Sequence, residues 1–234
     1  MRGTFARRGA AIVTGWALAL SGAHAALRVE GVPDSVAEVV RAYVTVAALP
    51  CDAPPWWVNR TFQRAEAEAR QALEALGYYQ ATVAAELTFD EACWQAQLAV
   101  TRGEQARLDS VRIEVAAPLG DEPRMRELLD RPPLRKGVRF THLHYEAFKS
   151  DLLDVAEDLG YFDARFGESR VPVDAAANTA DVVLVLEGGE RYRVGAVAIE
   201  QDQLRPGLFG RFLKVEAGQP FDARNLAATY RDLL

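Results

Sequence analysis

The clearest pattern of apolar and polar positions lies between residues 141 and 159. Apolar side chains recur there at helical spacing, with charged side chains between them, and the stripe consists of Leu143, Ala147, Phe148, Leu152, Ala156 and Leu159. This spacing predicts one amphipathic helix with a single buried face. Thr141 can cap its first turn with a side-chain oxygen, and Gly160 can end it in a left-handed conformation.

The segments on either side of this helix predict a small two-layer domain. The predicted elements are a strand over 108–115, a short helix over 122–129, the long helix, and strands over 164–173 and 181–186. An earlier stretch predicts the same order, with a strand over 27–32, helices over 34–46 and 59–76, and strands over 81–89 and 94–101. Two helices packed on one face of a three-stranded sheet give an α+β fold with the order β-α-α-β-β.

A repeat relates these two stretches. Leu-Gly-Tyr-Tyr at residues 76–79 recurs 83 positions later as Leu-Gly-Tyr-Phe at residues 159–162. Gly-Val-Arg-Phe at 137–140 is likewise echoed 81 positions later by Gly-Gln-Pro-Phe at 218–221. A period of this length is typical of a small domain repeated in tandem. We therefore predict modules over residues 26–104 and 105–188, and an incomplete third module over 189–234.

The repeated Leu-Gly-Tyr motif predicts a helix stop with a structural role. Gly77 and Gly160 can adopt the left-handed conformation that ends a helix, and Tyr78 and Tyr161 can then pack back against the helix base. The connections between modules are short, which leaves little slack. We expect limited bending between modules.

The first 25 residues carry a targeting pattern. Three arginines precede an uncharged run over 9–21, and the segment ends in Ala-His-Ala at 23–25. The run is too short to span a bilayer comfortably, and the small residues fit a signal-peptidase site. We predict a cleaved secretory signal over residues 1–25; an uncleaved inner-membrane anchor is the alternative.

The two cysteines follow this segment. Cys51 and Cys93 would lie in an oxidising compartment after export, and their even number makes pairing the expected state. A disulfide between them would close a loop of about 42 residues and stabilise the fold by roughly 4 kcal/mol. Two buried free thiols are the alternative.

Composition narrows the possible functions. The chain has 234 residues, 50% of them hydrophobic, and a formal net charge of −6. The acidic balance disfavours nucleic-acid binding, which needs a basic face. The sequence contains no phosphate loop, dinucleotide fingerprint or nucleophile motif,, and His142 and His144 have no further metal ligands near them in sequence. We expect no catalytic residue, metal or cofactor, and a protein that is not an enzyme.

Two adjacent tryptophans stand out in the first module. Trp56 and Trp57 follow a pair of prolines and precede the second predicted helix. We expect these rings to close the core of the first module. An exposed aromatic patch for a partner is the alternative.

The repeated motifs resemble the POTRA domains of outer-membrane protein assembly factors. The resemblance runs from Leu-Arg-Val-Glu-Gly at 27–31 to residue 234, and it rests on the opening strand, the two helix stops and the Gly-Glu pairs between modules. It is greatest to the TamA family. It implies tandem POTRA domains with mixed sheets, located in the periplasm at the outer membrane, and a membrane-embedded β-barrel beyond residue 234.

The resemblance also implies a function. Such arrays recruit partner and client chains for the assembly of outer-membrane proteins, autotransporters included; the expected partners are a TamB-like inner-membrane protein and unfolded outer-membrane clients. An exposed edge strand can bind an extended chain through main-chain hydrogen bonds. The strand after each helix pair is the candidate edge, and the candidate partner-binding residues are Thr82, Val83, Ala84, Ala85, Glu86, Leu87, Arg165, Phe166 and Glu168.

The two candidate edges differ in character. In the first, Val83, Leu87 and Phe89 alternate with small or polar residues, so we predict that it is the more adhesive. The second carries charged side chains, which blunt an edge. A proline at Ala84 is predicted to remove an N–H donor from the first edge.

Two other classes of protein remain as alternatives. A two-partner secretion transporter also carries POTRA domains, usually two of them. A periplasmic enzyme or ligand-binding protein would need a deep pocket, which nothing in the sequence suggests.

Overall fold

The computed structural model describes residues 26–90, 93–198, 200, 210 and 212–233. The predicted signal segment, residues 1–25, lies outside the described residues. The first unit spans residues 26–101 and contains, in chain order, β1 (Ala26–Glu30), α1 (Asp34–Tyr43), a 3₁₀ turn (Thr45–Ala48), α2 (Pro55–Phe62), α3 (Ala65–Ala75), β2 (Thr82–Phe89) and β3 (Trp94–Thr101). β3 lies between β1, to which it is parallel, and β2, to which it is antiparallel.

The core of the first unit lies between the sheet and the three helices. Alternate residues of β3 are buried, because its even-numbered positions face the helices,. Trp94 is 1% exposed and packs in this core with Val40, Leu73 and Leu98. Its indole N–H donates to the carbonyl of Pro50 at 3.0 Å. This hydrogen bond offsets the free-energy cost of burying the N–H group.

The second unit repeats this arrangement over residues 107–187. Its elements are β4 (Arg107–Val115), a 3₁₀ turn (Leu119–Asp121), α4 (Pro123–Asp130), α5 (His142–Asp158), β5 (Arg165–Arg170), β6 (Val173–Asp174) and β7 (Thr179–Glu187). β7 lies between parallel β4 and antiparallel β5, and β6 also pairs with β7. The order and directions of its three main strands match those of the first sheet, so the predicted α+β fold with mixed sheets is confirmed. The second sheet differs from the predicted three strands by the short fourth strand β6.

The long helix of the second unit begins and ends as predicted, but its buried face is different. The Thr141 hydroxyl accepts a hydrogen bond from the backbone N–H of His144 at 3.2 Å, as a cap. Leu143 is 72% exposed and Ala147 is also exposed, so the predicted stripe is wrong at its first turn. Tyr145 is buried instead, because the face toward the sheet follows the spacing from Tyr145 to Phe148 and on to residues 152 and 156,.

The predicted helix over 59–76 is two helices. α2 begins earlier, at Pro55, where a proline suits the first turn,. It ends in a tightened turn in which the N–H of Arg64 donates to the carbonyl of Thr61, three residues back rather than four,. α3 then begins at Ala65 and ends at Ala75, two residues before Gly77.

The last described stretch contains α6 (Ala223–Leu233) and an antiparallel bridge between Arg193 and Pro220. The N–H of Arg224 donates to the carboxylate of Asp222 at 2.8 Å at the start of this helix. Of the helices in the described residues, none is long and apolar enough to cross a membrane.

Candidate functional site

β2 forms one edge of the first sheet. Among the described residues it pairs with β3 alone, over eight residues, in a register that runs without interruption from Thr82 opposite Thr101 to Phe89 opposite Trp94. Such an edge presents unpaired backbone N–H and C=O groups at regular spacing. The predicted position of this strand at an edge therefore corresponds to the structure.

The hairpin turn decides which backbone groups of β2 are free. The N–H of Asp90 donates to the carbonyl of Cys93 at 2.9 Å. Because bonded and non-bonded pairs alternate along antiparallel strands, the even-numbered residues of β2, Thr82 to Thr88, bond to β3. The N–H and C=O groups of Val83, Ala85 and Leu87 then point away from the sheet.

The opposite side of β3 supports this assignment. Val100 is the partner of Val83 in the register. A Cβ added at Gly31, just after β1, would lie 2.1 Å from the carbonyl oxygen of Val100. That carbonyl is therefore directed toward the β1 side, so it is not bonded to Val83. A proline at Ala84 would break a bond within the sheet rather than remove a free donor, and Ala85 is the position that tests the edge.

The side chains of β2 divide between the core and solvent. Val83 is buried, and Ala85 and Leu87 pack against the same core. Of the three apolar residues expected to make this strand adhesive, only Phe89, at 45% exposure, is available at the surface. The outer face carries Ala84, Glu86 and two threonines. The edge therefore offers unpaired backbone N–H and C=O groups, with Glu86 as its one charged side chain.

β5 is the corresponding edge of the second sheet, and it is less regular. It has six residues, and its register with β7 shifts between Phe166 and Glu168, which marks a bulge,. Arg165 pairs with Glu187 at 2.8 Å. Glu168 lies 2.5 Å from Arg170 and 2.7 Å from Arg112.

Electrostatics keep the β5 cluster charged. A hydrogen bond from Arg170 lowers the pKa of Glu168, and the nearby charges of Arg170 and Arg112 lower it further,. This carboxylate is therefore ionised at neutral pH. Bulges and charges both protect an edge from pairing with another chain.

A disulfide lies next to the β2–β3 turn. Cys51 and Cys93 are bonded, with their Cα atoms 4.7 Å apart. The bond joins the segment before α2 to the residue immediately before β3. It therefore ties the beginning of α2 to the end of the candidate edge.

The two adjacent tryptophans do not close the core. Trp56 is 68% exposed and Trp57 is 43% exposed, whereas the next residue, Val58, is fully buried. The core position that they were expected to fill is taken by Trp94 from β3. The expectation is wrong because α2 starts at Pro55 and turns these two positions toward solvent.

The two helix stops have the same geometry. Gly77 has φ +87° and Gly160 has φ +86°. The N–H of Tyr78 donates to the carbonyl of Leu73, and that of Tyr161 to the carbonyl of Ala156, each at 2.9 Å. This is the pattern of a left-handed C-terminal cap.

Each helix stop also contacts the next unit. The carbonyl of Gly77 accepts from the N–H of Ala106, and the carbonyl of Ala106 accepts from the N–H of Phe140, both at 2.8 Å. We call this set of contacts the first joint. An added Cβ at Gly77 would lie 2.1 Å from the Phe140 carbonyl oxygen, so the close approach of the second unit also requires a glycine.

The second joint repeats the first. Gly160 accepts from Tyr192 at 2.8 Å, and Tyr192 accepts from Phe221 at 2.9 Å. The rings of Phe162, Tyr192 and Phe221 cluster here, with centroids 5.1 and 5.3 Å from that of Phe162. The repeated sequence motif therefore marks joints between units as well as helix stops.

His142 lies at the first joint. Its Nε2 is 3.0 Å from the hydroxyl of Tyr79, and its ring meets that of Phe140 edge to face at 4.9 Å. Burial raises the pKa of Tyr79 to about 12, with a further contribution from Glu74. This contact joins positions 63 residues apart, so no local pattern along the chain predicts it. Over the described ranges, no three His, Cys, Asp or Glu side chains come together as a metal site would require.

Comparison with known proteins identifies the first unit. The family model for the POTRA domain, TamA domain 1, matches residues 26–102. The first unit is a POTRA domain. The predicted resemblance to the POTRA domains of the TamA family is thereby confirmed over residues 26–102, and we refer to these residues as the first POTRA domain.

Solved structures of POTRA regions align over most of the chain. BamA POTRA3-5 from Haemophilus influenzae is 17% identical, with 90% of this chain and 84% of that chain covered and a TM-score of 0.48. The N-terminal domain of Omp85 from Thermosynechococcus elongatus is 15% identical, with 90% and 83% covered and a TM-score of 0.34. POTRA1-3 of the periplasmic domain of Omp85 from Anabaena is 11% identical, with 90% and 82% covered and a TM-score of 0.34.

Proposed function

We propose that this chain is the POTRA region of an outer-membrane assembly factor and that it recruits other chains through the free edge of β2. The array would comprise POTRA domains over 26–104, 105–188 and from 189 onward, exported by the signal at 1–25 and acting in the periplasm. It performs no catalysis. Client chains are passed to a membrane-embedded β-barrel that follows in the same protein, and outer-membrane proteins, autotransporters among them, are the expected cargo.

The regular edge of β2 is the observation that carries this proposal. The outward N–H and C=O groups of Val83, Ala85 and Leu87 can extend the sheet by one strand from a client or partner. Main-chain bonds do not depend on the sequence of the added strand, which suits a protein that handles many different clients. The inner-membrane partner would be a TamB-like protein that occupies the same edge.

Chemistry of the surroundings supports the choice of this edge over β5. A shallow groove of about 350 Å³ lies on the outer face of the sheet, across β2 and β3, and is lined by Ala84, Ala85, Glu86, Gln97 and Ala99. The β2 side chains among them are small except for Glu86, whereas β5 carries three charged side chains. Val83 and Leu87 are held in the core, so recognition would rest on the backbone.

A pair of proline substitutions tests the proposal. Ala85→Pro removes an outward N–H donor, and a proline on the free side of an edge strand is tolerated. We expect binding of a peptide of about ten alternating apolar and polar residues, the pattern of a membrane β-strand, to weaken about tenfold, while the thermal transition stays close to that of the parent. The binding is measured by calorimetric titration.

Ala84→Pro is the matched control. Its N–H bonds to β3, so the substitution should lower the free energy of unfolding by roughly 1–3 kcal/mol, the cost of a hydrogen bond lost within the sheet. Equal binding by Ala85→Pro and the parent chain would refute the role of this edge. Equal destabilisation by the two prolines would refute the assigned direction of the backbone groups.

A further inference from the structure

A second candidate site lies at the first joint. Arg102 follows β3, Arg107 begins β4, and Arg139 lies between α4 and α5. All three line one cavity of about 230 Å³, together with Tyr78, Gly103, Glu104 and Gln105. Three arginines and one glutamate therefore line the cavity.

The fold brings these positive charges together, and their mutual repulsion destabilises it. Arg107 and Arg139 face each other in an isolated antiparallel bridge, and like charges directly opposite each other are destabilising. Arg102 donates to the hydroxyl of Tyr78 at 3.0 Å and lies 5.4 Å from the centre of that ring. Arg107 donates to the carbonyl of Gly137 at 2.8 Å.

The positive charges of the cluster are not compensated by acidic partners. Within the part of the chain that the structure describes, no ion pair joins any of the three arginines to a carboxylate, Glu104 included. The backbone N–H groups of Gly103, Glu104 and Gln105 also have no hydrogen-bond acceptor among the described residues. Arg102 and Arg107 each use one of the five N–H donors of a guanidinium group, for Tyr78 and Gly137,. The lining of the cavity therefore has more donors than the described residues pair.

The second joint provides an internal comparison. Arg193 corresponds to Arg107 and makes the same bond, to the carbonyl of Gly218 at 2.7 Å. Its bridge partner is Pro220, at the position of Arg139, and the position of Arg102 is occupied by Gly188. The arginine shared by both joints therefore serves the fold, whereas Arg102 and Arg139 are additions at the first joint.

The other arginine of the second joint, Arg191, has an acidic partner within the chain. Arg191 lies 5.7 Å from the ring centre of Tyr161, much as Arg102 lies near Tyr78. Unlike Arg102, it pairs with a carboxylate, that of Glu122, at 2.6 Å. The first joint thus lacks the acidic partner that the second joint has.

We propose that the arginine cavity of the first joint binds an oxyanion of the phosphate class, either free phosphate or a phosphomonoester such as a lipid headgroup carries. Guanidinium groups match the geometry of phosphate oxygens through paired N–H donors. Within the described residues the Arg139 side chain makes no hydrogen bond or ion pair, and Arg102 retains the donors that do not bond Tyr78. Because Arg102 follows the first sheet and Arg139 belongs to the second unit, the bound anion connects the two units.

The test uses inorganic phosphate and the full chain. Phosphate is titrated at constant ionic strength, and the backbone amide signals of Gly103 and Glu104 are followed by NMR. We expect saturable shifts at these amides. Arg139→Gln, at an exposed side chain without a partner in the described structure, should weaken phosphate about tenfold, the effect of losing one charged hydrogen-bonding group; Arg102→Gln should act in the same direction.

Arg193→Gln is the matched control, because it removes one positive charge at the equivalent bridge of the second joint. It should leave phosphate affinity unchanged. The absence of saturable shifts in the parent chain, or equal weakening by Arg139→Gln and Arg193→Gln, would overturn the proposal.

Two further ligands identify the class and the source of the anion. Acetate binding as tightly as phosphate would overturn the assignment to the phosphate class. Glycerol 1-phosphate binding at least as tightly as inorganic phosphate would support the site and assign a phosphomonoester. Binding of inorganic phosphate alone would support the site and assign the free ion.

Discussion

The edges β2 and β5 occupy the same place in two sheets of the same topology, yet they differ in what they offer to another chain. β2 has eight residues in unbroken register and one charged side chain, Glu86. β5 has six residues, a bulge and three charged side chains. The shared topology therefore places both β2 and β5 at the edge of a sheet, and the local sequence leaves only β2 suited to pairing with another strand.

An edge strand could bind another chain through its side chains or through its backbone. Side chains such as Val83 and Leu87 are part of the core and are not available to a partner. The available groups of β2 are backbone donors and acceptors at every second residue. An edge of this kind selects an extended conformation rather than a particular sequence.

The largest expected effect concerns the disulfide, which has no counterpart in the second unit. Replacing Cys51 and Cys93 by serine removes a link that closes a loop of 42 residues. The free energy of unfolding of the first POTRA domain should fall by about 4 kcal/mol. Denaturation followed by tryptophan fluorescence measures this domain alone, since every tryptophan beyond residue 25 lies within residues 26–102.

The second unit serves as the control for the disulfide variant. Its unfolding, followed by NMR signals of residues in β7, should be unchanged. An equal loss of stability in both units would mean that the disulfide does not act locally. The disulfide would then no longer distinguish the unit that contains β2 from the unit that contains β5.

An intermediate effect is expected when β5 is made more like β2. The combined substitutions Arg165→Thr, Glu168→Thr and Arg170→Thr remove the charges of this edge. Their ion pairs are exposed, so stability should change by about 1 kcal/mol or less. Titration with the β-strand peptide should then reveal a second, weaker binding event, because the bulge at Gly167 remains.

The stoichiometry of that titration decides the outcome. Binding of one peptide per chain both before and after the substitutions would show that charge does not close the β5 edge. Binding of two peptides by the unaltered chain would show that the two edges never differed.

The smallest expected effect is on the ionisation of Glu168. Its lowered pKa means that its ion pairs stabilise the fold above the pKa of the unfolded chain and are lost as the pH falls through the folded value,. An NMR titration of its side-chain carbon should give a pKa below the ordinary 4.5. Arg170→Ala should raise it, because Arg170 supplies the main hydrogen bond; an unchanged value would contradict the account of the β5 cluster.

Much of the fold could be predicted from periodicity and from the repeat. The amphipathic pattern located α5, and the Leu-Gly-Tyr motif located both helix ends, because such signals are local. The edge position of β2 came from the family resemblance. These features depend on neighbouring residues or on the order of elements, which a sequence displays directly.

The details that decide function depended on contacts between distant residues. Whether Ala84 or Ala85 carries the free N–H follows from the turn at Asp90 and Cys93. The burial of Tyr145 in place of Leu143 depends on how α5 is rotated against the sheet. The arginine cavity joins Arg102 and Arg139 across two units, and no pattern along the chain marks it.

Hydrogen exchange at single residues of β2 tests the central claim most directly. With the β-strand peptide bound, the amides of Val83, Ala85 and Leu87 should become protected, since their N–H groups point away from β3 in the unbound chain. The amides of Ala84 and Glu86 should change little, and Ser169 of β5 should not change. Protection confined to β5, or none along β2 while the peptide is bound, would contradict the proposed site.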